Sequence, residues 1–215
     1  MARMPPCRGG DRSSILRRGA MQEFEGHKLG RFHKLNNIAY INIPKCGSTS
    51  LKTALTGIGF TEVAIENEPL GEAFAIVRNP LSRFVSGAAE RYERREERVG
   101  YLDWLRETYA QVEVTGDPVL DEHTQPQVDF LRPYKRDIEF IPFPFLKAGV
   151  DNFFAEHGLE APPIRTLHRT PRPWHKLAVE LLTADLVSIV ASFYKEDWVL
   201  YRRACDHFLS RNLLD

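Results

Sequence analysis

Long apolar runs are missing from this chain. No stretch of its 215 residues approaches the roughly 18 consecutive apolar residues that a membrane-crossing helix needs, so no membrane segment is expected. The first 30 residues also lack an apolar run of signal-peptide length. Cysteine is scarce: Cys7, Cys46 and Cys205 are odd in number and far apart, a pattern that builds neither a disulfide framework nor a zinc site. The setting this implies is reduced and cytoplasmic, with no metal. Net charge is absent as well, 29 Lys/Arg balancing 29 Asp/Glu, which leaves no global field to attract nucleic acid or an anionic membrane. Internal repeats are missing, which sets aside solenoids and propellers.

The charge balance hides an asymmetry. Residues 1–36 hold eight Lys/Arg and three Asp/Glu, so the remainder is mildly acidic, with 21 against 26. This first segment has Pro, Gly and Arg without apolar periodicity and reads as a basic, flexible arm. Residues 37–215 are of a size for one core and read as a single domain.

Within that domain, apolar runs at Ile38–Ile43, Thr61–Ile65, Ala73–Val77 and Ile138–Ile141 have strand character. Arg31–Asn37 reads as a polar lead-in. Helical spacing follows Ser50, and again from Pro80, where Asn79 is an N-cap and Pro80 the first helical residue. Further helices are expected over Tyr101–Val112 and Phe145–His157, and from Thr183 through Leu200 and beyond. From Glu90 to Arg98 the interleaved charges predict a solvated helical extension. Val119–Leu131 reads as a loop or short turns, and Pro162–Pro173 as a proline-rich loop. Strands separated by helices predict an α/β fold with a parallel sheet flanked by helices.

Between the first strand and its helix lies Pro44-Lys45-Cys46-Gly47-Ser48-Thr49-Ser50. A loop of small residues exposes backbone N–H groups, and the helix N-terminus adds unpaired donors and positive dipole. Lys45 adds a full charge, and the three hydroxyls add donors. This is an oxyanion cradle. It is not a Walker loop, because its lysine precedes the glycine. Nor is it a cysteine-phosphatase loop, which would place an arginine where Lys52 stands.

A second stretch, Phe74-Ala-Ile-Val-Arg-Asn-Pro-Leu-Ser-Arg-Phe-Val-Ser-Gly87, puts Arg78 at the end of a buried strand and Ser86 eight residues on, in the next helix. A strand-to-helix turn can bring both to one anion, and the planar fork of arginine suits phosphate.

Together these stretches resemble the two nucleotide-binding motifs of the sulfotransferases, in the form found in the carbohydrate (type 2) branch. His123-Thr124-Gln125-Pro126-Gln127 is similar to that branch's H-x-x-P-Q element. Asp185–Tyr201, with Tyr194 and Asp197, is similar to its closing helices. The resemblance implies a P-loop-NTPase-like sulfotransferase fold. Its co-substrate would be 3'-phosphoadenosine 5'-phosphosulfate (PAPS), converted to the 3',5'-bisphosphate (PAP). Lys45, Cys46, Gly47, Ser48, Thr49 and Ser50 would hold the 5'-phosphosulfate, and Arg78 and Ser86 the 3'-phosphate. The acceptor would be a carbohydrate hydroxyl, with a small alcohol or a peptide tyrosine as alternatives. A non-catalytic PAP-binding protein and a P-loop-like nucleotide kinase are the other classes open to such a chain.

Sulfuryl transfer needs charge stabilisation at the leaving oxygen, for which Lys45 is the catalytic candidate, and a base for the acceptor proton. His123 is the first candidate base, and Glu66 and Glu68, after the second strand, compete with it. Arg83, one turn before Ser86, is either an accessory ligand or half of a surface salt bridge. Arg169 and Thr170, where the branch would have an asparagine nearby, are weaker candidates for adenosine contacts. Cys46 is either a thiol acidified by surrounding donors or simply a small residue. Trp104, Tyr109, Phe130, Tyr134 and Trp174 divide between sugar stacking and core.

Overall fold

The computed structural model describes residues 31–64, 71–93, 100–134, 137–165 and 172–212. In chain order they form β1 (Arg31–Leu35), β2 (Ile38–Ile41), α1 (Ser48–Gly57), β3 (Thr61–Ala64), β4 (Glu72–Val77), α2 (Pro80–Glu93), α3 (Tyr101–Thr115) and α4 (Gln127–Leu131). They continue with β5 (Ile138–Pro142), a 3-10 turn over Phe143–Phe145, α5 (Leu146–Glu156), α6 (Arg172–Glu180), α7 (Ala184–Phe193) and α8 (Lys195–Asn212).

The strands pair in the order β3-β1-β2-β4-β5. β2, β4 and β5 are parallel, whereas β1 runs antiparallel to both β2 and β3. The fold is therefore α/β, but the sheet is mixed and not wholly parallel as expected. The difference originates in Arg31–Leu35, read as lead-in and found as a strand. Leu35 pairs with Ile38 across a two-residue connection. Asn36 turns it at φ 52°, a left-handed conformation that asparagine adopts more easily than most residues. Phe32 and His33 are buried in β1, so the strand contributes to the core despite its polar neighbours.

Side-chain alternation covers both faces of the sheet. Tyr40 and Phe74, in register on β2 and β4, share one face. There Phe74 meets Phe153 and Phe154 of α5 at ring separations of 4.6 and 6.1 Å. Phe32, Ile41 and Ala75 share the other face, where Phe32 meets Tyr134 edge-on. All of β4 after Glu72 is buried, as a strand covered on both sides requires.

A second apolar cluster gathers Phe84, Val85, Ala88 and Ala89 of α2, Trp104, Leu105 and Tyr109 of α3, and Leu186 and Val190 of α7. Thr183 caps α7 by accepting from the Leu186 N–H. The long terminal helix expected from Thr183 is broken at Tyr194 into α7 and α8. Val119–Leu131 is not all loop, since α4 starts just after Pro126. No helix among the described residues is long and apolar enough to cross a membrane.

Candidate functional site

β2 ends at Ile41, and Pro44, three residues on, cannot rejoin its ladder, so the chain turns through the loop. Lys45 and Gly47 both have left-handed backbone, with φ 65° and 77°. For Lys45 that conformation costs about 1–2 kcal/mol. Gly47 escapes the cost, and a Cβ there would lie 3.0 Å from a Phe143 ring carbon and 3.3 Å from Leu146. Immediately after it α1 begins, with no side-chain cap and no acid in its first turn, which leaves the positive end of the helix facing the loop.

Two arginines fix the loop from behind. Arg83 Nε donates to the Pro44 carbonyl at 2.9 Å, and Arg78 Nη1 donates to the Lys45 carbonyl at 2.9 Å. Across a trans peptide the carbonyl and the next N–H point in opposite directions. The Lys45 and Cys46 amides are thereby turned away from the arginines. Arg83 is 1% exposed, donates also to the Gln125 carbonyl at 2.5 Å, and stands 5.8 Å from the Phe130 ring. It is a buried strut and not half of a surface salt bridge.

Arg78 leaves the end of β4, and the turn into α2 is capped by Asn79, whose Oδ1 accepts from the Ser82 N–H at 3.0 Å. The Arg78 Nε donates to Ser82 Oγ at 3.2 Å, and its guanidinium lies 4.9 Å from the Phe143 ring centre. Ser86 is buried one turn further along α2. The serine bonded to Arg78 is thus Ser82.

The Lys45 ammonium reaches α2, where it pairs with Glu90 Oε2. The other oxygen of Glu90 lies 3.4 Å from His123 Nε2. Behind the ring, Nδ1 is 3.2 Å from Asp121 Oδ1, which also accepts from the His123 backbone N–H at 2.8 Å. Burial works against ionisation of Asp121, but the hydrogen bonds and charge of His123, with Arg91 beyond, outweigh it and lower the carboxyl pKa. An ionised Asp121 only accepts, which suits a proton on Nδ1, and Nε2 faces Glu90. Glu122 Oε1 stands 3.8 Å from the same Nε2.

His123 is 6% exposed. Its backbone is held against α2 where Gly87 allows close approach, since a Cβ on Gly87 would come within 2.9 Å of the His123 carbonyl oxygen. The stretch that follows is clasped on both sides. Gln127 exchanges two hydrogen bonds of 2.8 Å with the Arg78 backbone, as a neighbouring strand would, and its Oε1 accepts from the Cys46 thiol at 3.3 Å. From α8, Asp197 accepts the Gln127 and Val128 N–H groups at 2.8 and 3.0 Å. Tyr194 donates its hydroxyl to the Thr124 carbonyl. Burial raises the pKa of Asp197, against the opposing pull of Arg83 and these N–H donors. Cys46 is fully buried, and its thiol is pushed up to about 11 by that burial, with Arg83 and Arg78 pulling the other way. It is a packing residue, so the reading as an acidified thiol does not hold.

The predicted residues Lys45, Cys46, Arg78 and His123 meet through these bonds, and Gly47 lies between Cys46 and the start of α1. Ser48, Thr49 and Ser50 form the first turn of α1. Glu66 and Glu68 lie outside the described residues, as do His168, Arg169, Thr170 and the arm over 1–30. Trp104, Tyr109, Phe130 and Tyr134 are buried among the core residues, and the side chain of Trp174 is outside the described set. Glu90, Asp121, Gln127 and Asp197 gained no individual role from the sequence. For Gln127 and Asp197 the signal was present, because both stand inside stretches that carry the family resemblance. Comparison with family models, with curated proteins and with solved structures gives no match.

Proposed function

We propose that the chain is a PAPS-dependent sulfotransferase acting on a hydroxyl, with carbohydrate as the favoured acceptor. The observation that carries the reading is the Glu90 bridge, which draws Lys45 and His123 to one carboxylate from positions far apart in the sequence. A cation for the leaving group and a proton acceptor for the incoming hydroxyl are the two groups sulfuryl transfer requires.

The residues fit a ligand with two anionic ends. The uncapped start of α1 and Lys45 suit one end, and Arg78, on the far side of the Lys45 carbonyl, suits the other. When bound, PAPS supplies the sulfuryl group and the 3',5'-bisphosphate leaving group. The acceptor oxygen bonds to sulfur as the bridging S–O bond breaks, and that electron pair departs on the 5'-phosphate. Lys45 and the α1 amides neutralise the charge developing there. His123 Nε2 takes the acceptor proton, and Asp121 holds the ring by Nδ1 and stabilises the imidazolium that forms.

Turnover of labelled PAPS with a panel of glycans tests the reading. Transfer is expected from the wild type, with a loss of about 10²-fold or more in Lys45→Ala, the scale of removing one oxyanion donor. Full transfer by Lys45→Ala would overturn the assignment. Tight PAP binding without transfer to any acceptor would favour a non-catalytic nucleotide-binding protein instead.

A further inference from the structure

The Lys45 ammonium, while paired with Glu90, offers an anion in the loop a charge already partly neutralised. Its side chain is 16% exposed and that of Glu90 25%, so the ion pair sits half-shielded at the mouth of the cradle. The backbone leaves Lys45 little freedom to relocate: its carbonyl is fixed by Arg78, the preceding carbonyl by Arg83, and its φ is left-handed. Rotation of the side chain about this fixed backbone is the motion available. Glu90, in turn, sits near the end of α2, which is anchored by close packing of Gly87 against Thr124 and His123.

We propose that Glu90 is a positioning residue whose carboxylate occupies Lys45 until the 5'-phosphate end of the nucleotide displaces it. This rests on the nucleotide-binding reading above and adds to it a specific competition. The exchange swaps one anion for another on the same ammonium, so the lysine is never left without a counter-charge in a partly desolvated place. After the exchange Glu90 still faces His123 Nε2, 3.4 Å away, and the carboxylate that held the lysine remains beside the candidate base. A merely structural Glu90, holding α2 to the loop, would predict that its loss loosens the site and weakens every ligand. A competing Glu90 predicts the reverse, and only for ligands that reach Lys45.

The test is calorimetric titration of the full chain and of Glu90→Gln and Glu90→Ala with two ligands, PAP and adenosine 3'-phosphate, which lacks the 5'-phosphate. PAP is expected to bind both variants roughly fivefold tighter than the wild type, the scale of losing competition from a part-exposed ion pair. Adenosine 3'-phosphate is expected to bind all three alike. Two variants of different shape guard against one that folds poorly, and a PAP-induced rise in melting temperature larger than that of the wild type provides a second readout. Unchanged or weaker PAP binding in both variants, or an equal gain for both ligands, would overturn the role of Glu90 while leaving PAP binding itself intact. A wild type that fails to bind PAP would overturn the nucleotide reading and this role with it.

Discussion

At the scale of single residues, the candidate site is a chain of charges: Lys45, Glu90, His123 and Asp121 follow one another at contact distance. Asp121 is the member whose protonation state is set most clearly. Its folded pKa is depressed because the His123 hydrogen bonds and charge outweigh burial. A depressed carboxylate contributes stability that is present above its unfolded pKa of about 3.9 and is lost as pH falls through the lower folded value. Asp121→Asn should therefore be less stable than the wild type near neutral pH. The gap in urea midpoint should close only below about pH 4. Transfer should fall by about 10²-fold in the same variant, because the ring loses its anionic anchor. A gap that persists unchanged to low pH would show that Asp121 acts by shape alone.

Little of this chain of charges was legible from the sequence. Lys45 and His123 stand in stretches with a recognisable pattern. Glu90 does not, because it opens a run of alternating charges that reads as solvated helix. Only the turn count from Asn79 and the approach of α2 to residues 123–124 single it out.

At the scale of elements, the cradle depends on how closely α2 approaches the His123 stretch. Gly87 makes this possible. An added Cβ would meet Thr124 Cγ2 at 2.7 Å and the His123 carbonyl at 2.9 Å, and a backbone carbonyl has little room to yield. Gly87→Ala should destabilise the fold by about 1–3 kcal/mol, as overpacking does. It should also reduce transfer, because His123 is pushed from Glu90. Urea unfolding and the labelled-PAPS assay read the two effects, and a variant with wild-type values in both would refute the close packing.

Elements with a strong period or an explicit cap were legible. The Asn79-Pro80 start of α2, the Thr183 cap of α7 and the buried run of β4 follow from local chemistry. β1 was not, since Arg31, His33 and Lys34 interrupt its apolar pattern. Its strand state is imposed by pairing on both edges, with β2 and β3. α4 was missed for a related reason. Its N-terminal amides are satisfied by Asp197, 70 residues further on, a partner that no local window contains.

At the scale of the whole molecule, the cradle and Arg78 lie at the C-terminal ends of the parallel neighbours β2 and β4, where open α/β sheets place their ligands. The last described helix, α8, and the residue before it complete the arrangement. Asp197 and Tyr194 hold the His123–Gln127 stretch in place, and Gln127 ties it to Arg78 and Cys46. The mixed outer strands β1 and β3 extend the sheet on the side away from β4. The loop, the Arg78 turn, the His123–Gln127 stretch and the Tyr194–Asp197 stretch are thus linked through side chains contributed by each other.

One ligand with two anionic ends is proposed to span this arrangement, and a comparative titration distinguishes its two ends. PAP and adenosine 5'-phosphate, which differ by the 3'-phosphate, are titrated into the wild type and Arg78→Ala. PAP is expected to bind the wild type at least about tenfold tighter, the scale of a charge-assisted phosphate contact, and Arg78→Ala is expected to erase most of that preference. Equal affinity of the wild type for the two nucleotides, or a preference for PAP that survives Arg78→Ala, would contradict the proposal.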